Sequence, residues 1–148
     1  MAQLSDIDLT PDDILAIAHM AYGENAGEDN DTVKMTIQTA INRLRSGRSK
    51  EFGGDIPSIL KKGYYAVSKN SPLYQQAVSG KFPDIKSKAR AAEIQKLTEA
   101  IVGDKDYGEA QFYFRPEEEK KLRKNPKAFN FKAVKPKGQI GKYNVYAY

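Results

Sequence analysis

The side chains of this 148-residue sequence best placed to do chemistry are the carboxylates Glu24, Glu28 and Asp29. They stand where the first amphipathic stretch breaks, in Tyr22-Gly23-Glu24-Asn25-Ala26-Gly27-Glu28. There are no cysteines and one histidine, His19, so disulfides, Cys-ligated metals and a His-rich zinc centre are excluded. No metal or other cofactor is expected, and any catalysis falls to carboxylates, hydroxyls, Tyr, Lys or a borrowed ion. A carboxyl group acts as a general acid in glycoside cleavage only if its pKa is lifted from about 4.3 toward 6. The carbonyl end of a helix disfavours a carboxylate, and burial beside Tyr22 would do so more strongly. Glu28 and Asp29 would add like-charge repulsion. An exposed glutamate serving solubility fits the same position, and position alone does not separate the two.

The elements that must hold these groups are legible in part. Thr10 is an N-cap, Pro11 suits the first helical position, and Asp12 and Asp13 complement the positive helix start. Ile14, Ile17, Ala18, Ala21 and Tyr22 form one helical stripe, which Gly23 and Gly27 should weaken. His19 falls between stripe residues and reads as structural. A second helix starts near Asn30 to Thr32, with Val33, Ile37, Ala40, Ile41 and Leu44 on its apolar face and Gly47 as its stop. Residues 53–63 read as one helical turn capped by Asp55, residues 64–70 as loop or short extended chain, and residues 71–80 as a short helix. A longer helix is expected over 87–102, burying Ala89, Ala92, Leu97, Ala100 and Ile101. Beyond it, 110–114 reads as strand, 117–126 as a charged helical turn, and 128–134 and 140–148 as strands joined by the turn-prone Lys-Pro-Lys-Gly-Gln. The sum is one α+β domain over 1–148, a mainly helical body with a small C-terminal antiparallel sheet.

Charge is divided unevenly. Residues 1–33 hold eight acids and no Lys or Arg, which leaves the rest of the chain at +13 to reach the net +5. A basic body suits an anionic partner such as nucleic acid, a lipid surface or bacterial wall polymer, and equally a solubilising surface. From Glu117 to Lys142 nine basic residues meet three acidic ones around Phe129 and Phe131. The nine tyrosines, three of them at 143, 146 and 148, serve sugar stacking or ordinary packing. No export signal is visible in the first thirteen residues, and no apolar run reaches the roughly 18 residues a membrane span needs.

The segment AYGENAGEDNDTVKMTIQTAINRLRSGR (21–48) resembles the opening motif of the spore-cortex-lytic family of cell wall hydrolases. There a Tyr-Gly-Glu-Ala-x-Gly-Glu segment precedes a helix ending in Asn-Arg-x-x-Ser-Gly. Tyr22-Gly23-Glu24, Gly27-Glu28, Asn42-Arg43 and Ser46-Gly47 match in order and spacing. GEAQFYF (108–114) is similar to the family's Gly-Ala-Thr-His-Phe-Tyr, and IGKYNVY (140–146) to its Ile-Gly-x-His-x-Phe-Tyr. GYYAVSKNSPLY (63–74) sits where a Gln-Phe-Ser segment is expected. The likeness runs from about Asp13 to the end, and its first block is the specific one.

The resemblance implies a lysozyme-like core, akin to lytic transglycosylases, with Glu24 as the one catalytic acid/base. Glu24 would cleave the bond between N-acetylmuramic acid and N-acetylglucosamine, either closing a 1,6-anhydro ring or admitting water. Tyr22, Glu28 and Asn42 would support it. Where the family has Thr-His this chain has Ala110-Gln111, and where it has a second His this chain has Tyr143; Tyr64-Tyr65-Ala66 replaces Gln-Phe-Ser. Gln111 and Tyr143 can still hydrogen-bond a sugar, and Tyr65 or Tyr113 can stack on one. The expected partner is bacterial peptidoglycan. Without an export signal the implied setting is a bacteriophage. An endolysin would pass from the host cytoplasm to the wall; a tail lysozyme would sit beside other virion proteins. A mature piece of a secreted bacterial enzyme would look the same. The alternative is a non-enzymatic virion or wall-binding protein on the same fold. A nucleic-acid binder is disfavoured by the acidic first third and by the lack of a recognised motif.

Overall fold

Thr10 opens the first helix as its sequence predicts. Its hydroxyl accepts from the Asp13 N–H at 3.1 Å, and the Asp13 carboxylate accepts from the Thr10 N–H at 3.2 Å. The computed structural model describes residues 7–148; Asp6 and the first half of the N-terminal stretch read for an export signal lie outside them. Helix α1 (Pro11–Asn25) runs through Gly23 instead of stopping at Tyr22. A Cβ at Gly23 would stand 2.8 Å from that of Ala66 and 3.0 Å from that of Tyr74. The glycine is there for close packing, not to end the helix.

Helix α2 (Asn30–Arg45) is capped by Asp29, whose carboxylate accepts from the Thr32 N–H at 2.8 Å. Its predicted face is buried at Val33, Ile37, Ala40 and Ile41, and Leu44 is half-buried. The opposite side is buried too: Met35 packs with Ala110, Tyr143 and Val145. A helix enclosed all round must satisfy its own polar groups. Thr36 and Thr39 do so by donating to the carbonyls of Thr32 and Thr36.

Short helices close over α1 and α2. They are α3 (Ser49–Phe52), α4 (Ile56–Gly63), α5 (Tyr65–Ser68) and α6 (Pro72–Ser79). Two expectations change here. Residues 56–63 make two turns rather than one, and 65–68 are a helical turn rather than loop or short extended chain. Tyr64, buried between α4 and α5, anchors both, and burial of its ring outweighs weak local propensity.

Helix α7 (Ile85–Gly103) is longer than predicted and turned differently. Ala89, Ala92 and Ala100 are exposed. The buried side holds Ile94, Thr98 and Ile101, with Leu97 half-buried. Larger side chains won the core over alanines, as the area they remove from water favours.

The sheet is antiparallel in the order β1-β3-β2. Strand β1 (Phe112–Phe114) falls inside the predicted strand and is followed by helix α8 (Pro116–Arg123). Strand β2 is Lys135–Ile140, the segment expected to be a turn, whereas residues 131–133 form a 3-10 turn in place of a strand. Pro136 and Gly138 are tolerated because β2 is an edge strand with a bulge between them. The reversal to β3 (Tyr143–Ala147) is at Gly141-Lys142, with Gly141 at φ +55°. Phe112 faces Tyr146 and Tyr113 faces Val145 across β1 and β3. The fold is thus mainly helical α+β with a small C-terminal sheet. Among the described residues no helix is long and apolar enough to cross a membrane.

Candidate active site

Glu24 lies one residue before the end of α1, where the first turn of α5 meets it. The Ala66 backbone N–H donates to Glu24 Oε1 at 3.1 Å. Glu24 is half-buried, and burial raises its pKa above the ordinary 4.5, opposed by the amides of Ala66 and Tyr65. The elevation expected from the sequence is present, and its main cause is desolvation.

Tyr22 does not supply that desolvation. On a helix two residues apart, side chains point to opposite sides. The Tyr22 hydroxyl donates to Gln76 Oε1 at 3.3 Å, and its ring meets Phe82 edge-on at 5.6 Å. It lines a separate groove of about 250 Å³ with His19, whose imidazole burial holds below 6.5. Glu24 faces other hydroxyls. Burial raises both Tyr64 and Tyr113, and the Glu24 charge adds to each. Tyr64 shares a 2.6 Å hydrogen bond with Thr39 Oγ1, and Tyr113 bonds Thr36. Arg43 stands behind them, its guanidinium carbon 5.2 Å from the Tyr64 ring centre and 5.4 Å from that of Phe112. Arg43 Nε donates to the Gln111 carbonyl at 2.8 Å.

A cleft of about 470 Å³ opens in front of Glu24, lined by Asn25, Glu28, Tyr113, Arg115 and Tyr143, with the further carboxylates Glu117 and Glu118. Four of the sequence-chosen residues therefore meet: Glu24, Glu28, Tyr113 and Tyr143. The Tyr113 and Tyr143 rings pack edge-on at 5.4 Å, so each fixes the other. Glu28 is beyond α1, not on one continuous helix with Glu24. It accepts from Lys142 Nζ at 3.0 Å and stands 4.0 Å from Arg115, which neutralises the charge expected to press on Glu24.

The remaining candidates lie elsewhere. Gln111 is buried, and its side-chain oxygen accepts from the Tyr148 N–H at 2.8 Å; it is a structural residue here and not a sugar ligand. Tyr65 is 69% exposed and its ring does not line the cleft; its contribution to Glu24 is a backbone N–H. Asn42 is fully buried and donates to the carbonyls of Tyr107 and Ala110 at 2.8 and 2.9 Å. It supports the site by tying α2 to the segment entering β1.

The sequence reading passed over Asn25 and Arg115. Asn25 is 6% exposed, and among the described residues its Oδ1 has no hydrogen-bond partner. A buried polar side chain directly after the candidate acid was the available signal. Among the described residues no cluster of three or more His, Asp or Glu suits a metal ion. The arrangement provides one carboxyl whose pKa burial raises, with Tyr113 and Tyr143 lining the same cleft and a second carboxylate paired to Lys142. Comparison with family models, curated proteins and solved structures finds no match for the chain.

Proposed function

We propose that the protein cleaves the glycan of bacterial peptidoglycan, with Glu24 as acid and then base. The observation that carries this reading is a single carboxyl raised by burial and opening on a cleft. The sequence likeness of residues 21–48 to cell wall hydrolases supports this choice of substrate. Glu24 gives its proton to the oxygen linking N-acetylmuramic acid to N-acetylglucosamine as the C–O bond breaks. The carboxylate then takes a proton from the attacking hydroxyl, either the muramic 6-hydroxyl or water. The first gives an anhydro end and the second a reducing end. Glu28, held by Lys142 and Arg115, serves the cleft wall and is not a nucleophile. The setting proposed with this activity is a bacteriophage endolysin or tail lysozyme.

The test is turbidity loss on purified walls with mass analysis of the released sugars. Wild-type protein should release muropeptides, and Glu24→Gln should release at least about a hundredfold less. Full activity in Glu24→Gln would remove the assignment.

A non-enzymatic wall-binding or virion role is the second reading. It is favoured by Ala110 and Gln111, which stand where the family has Thr-His and contribute no side chain to the cleft. It predicts wall binding that survives Glu24→Gln with no new sugar ends from either protein.

A further inference from the structure

From Lys120 to Tyr148 the chain carries nine basic residues and no acid. Arg123, Lys137 and Lys142 pair with Glu119, Glu109 and Glu28. Lys120, Lys121, Lys124, Lys127, Lys132 and Lys135 are all exposed. Among the described residues, none of these six forms an ion pair. Like charges crowded along one stretch of chain without internal partners repel one another, and the repulsion is relieved when an external polyanion supplies the missing charge.

The same stretch builds a recess. Arg123, Pro126, Phe129, Asn130, Phe131 and Lys132 enclose about 460 Å³. Its aromatic wall is fixed: Phe129 and Phe131 pack edge-on at 4.7 Å, and Phe114 lies against both. Arg123 covers Phe131 at 4.3 Å, and Glu119 and the Tyr146 hydroxyl hold its guanidinium in place. The Asn130 side chain accepts from the Lys132 N–H at 3.1 Å and sets the turn that presents Phe131. Few parts of this wall need ordering when a ligand arrives, which lowers the entropic cost of binding.

We infer that this basic, aromatic-walled face docks a polyol-phosphate polymer of the bacterial wall. Each phosphodiester offers a charge to the lysines, and each polyol unit offers a C–H face to the rings. An uncharged glycan would leave the lysines unanswered. The Glu24 cleft, with Glu117 and Glu118 in its lining against the single cation Arg115, suits the same polymer less well. Docking and cleavage are thereby assigned to different surfaces. The choice of a wall polymer among polyanions rests on the glycan-cleaving reading, whereas the charge match does not.

The probe is labelled poly(glycerol phosphate), titrated with the whole protein and followed by fluorescence anisotropy. Affinity should fall on the order of tenfold or more over a fourfold rise in salt, as expected when several phosphates are contacted. The variant K124E/K127E/K132E changes three exposed side chains, so it should fold as wild type does. It should bind at least about tenfold more weakly and still cleave short peptide-free glycan strands at the wild-type rate. Absence of binding, or equal binding by the variant, overturns the proposal. Tighter binding of single-stranded DNA with the same number of phosphates overturns the choice of polymer. If the polymer binds as stated but no glycan is cut, the docking face stands and the cleavage reading falls.

Discussion

The Ala66 amide and the Glu24 carboxylate are joined across 42 residues of chain by a 3.1 Å hydrogen bond. The bond favours the ionised carboxylate, while burial favours the protonated one. Burial is the larger effect, so the net direction is upward. An upward shift is the direction that a group giving and then recovering a proton needs.

This gives a pH dependence with a definite sign. The folded pKa of Glu24 exceeds its unfolded value, so between the ordinary 4.5 and the raised value the native state binds more protons. Stability contributed by the protonated carboxyl is fully present below that window and is lost as pH rises through it. Glu24→Gln removes the titration. Urea midpoints measured at several pH values should fall less for the variant than for wild type over this window. A wild-type midpoint that rose relative to the variant would contradict the assignment.

The Glu28–Lys142 pair should matter for activity more than for stability. Its side chains are 30% and 49% exposed, so Lys142→Met should cost at most about 1 kcal/mol in chemical denaturation. Arg115 remains near Glu28, but at 4.0 Å it compensates only in part. The freed negative charge disfavours ionised Glu24, and the alkaline limb of the pH–rate profile on soluble glycan should move to higher pH. A shift to lower pH would show that Glu28 does not act on Glu24.

What the sequence made legible follows the physical reach of each signal. Thr10, Asp55 and Ser71 announced helix starts because a cap acts within three residues, whereas Asp29, read as an acid beside Glu24, is the cap of α2. Glu24, Tyr113 and Tyr143 were found through matched motifs, and the fold brings them to one cleft. Tyr22 and Gln111 were misplaced because their partners, Gln76 and the Tyr148 amide, lie 54 and 37 residues away. No local pattern encodes those contacts. Strand β2 was hidden because Pro136 and Gly138 are turn signals locally and edge-strand devices once β3 lies beside them. The alanines of α7 misled for a related reason: amphipathic periodicity gives a face, and the choice among apolar faces belongs to the neighbours.

Asn25 supplies a stability test that runs against the usual direction. An unsatisfied buried acceptor costs about 1–3 kcal/mol, and an apolar side chain of similar size removes that cost. Asn25→Leu should therefore hold or raise the denaturation midpoint, although most buried substitutions lower it. A loss above about 1 kcal/mol would mean that Asn25 Oδ1 has a partner in solution.

Gly23 tests whether close packing governs the acid. Alanine is the better helix former by about 1 kcal/mol, so local propensity alone predicts that Gly23→Ala stabilises α1. The added methyl would meet Ala66 Cβ at 2.8 Å and Tyr74 Cβ at 3.0 Å, and α5 and α6 would have to move. Such overpacking costs about 1–3 kcal/mol and should win. Because α5 carries the Ala66 amide, its displacement also loosens the hold on Glu24, and glycan cleavage should fall even where the variant is fully folded. Gly27→Ala is the control. Among the described residues no atom lies within 4 Å of its added Cβ, so that variant should match wild type in both measurements. If Gly23→Ala and Gly27→Ala proved equally mild, the approach of α5 to α1 would not be what holds the carboxyl in place.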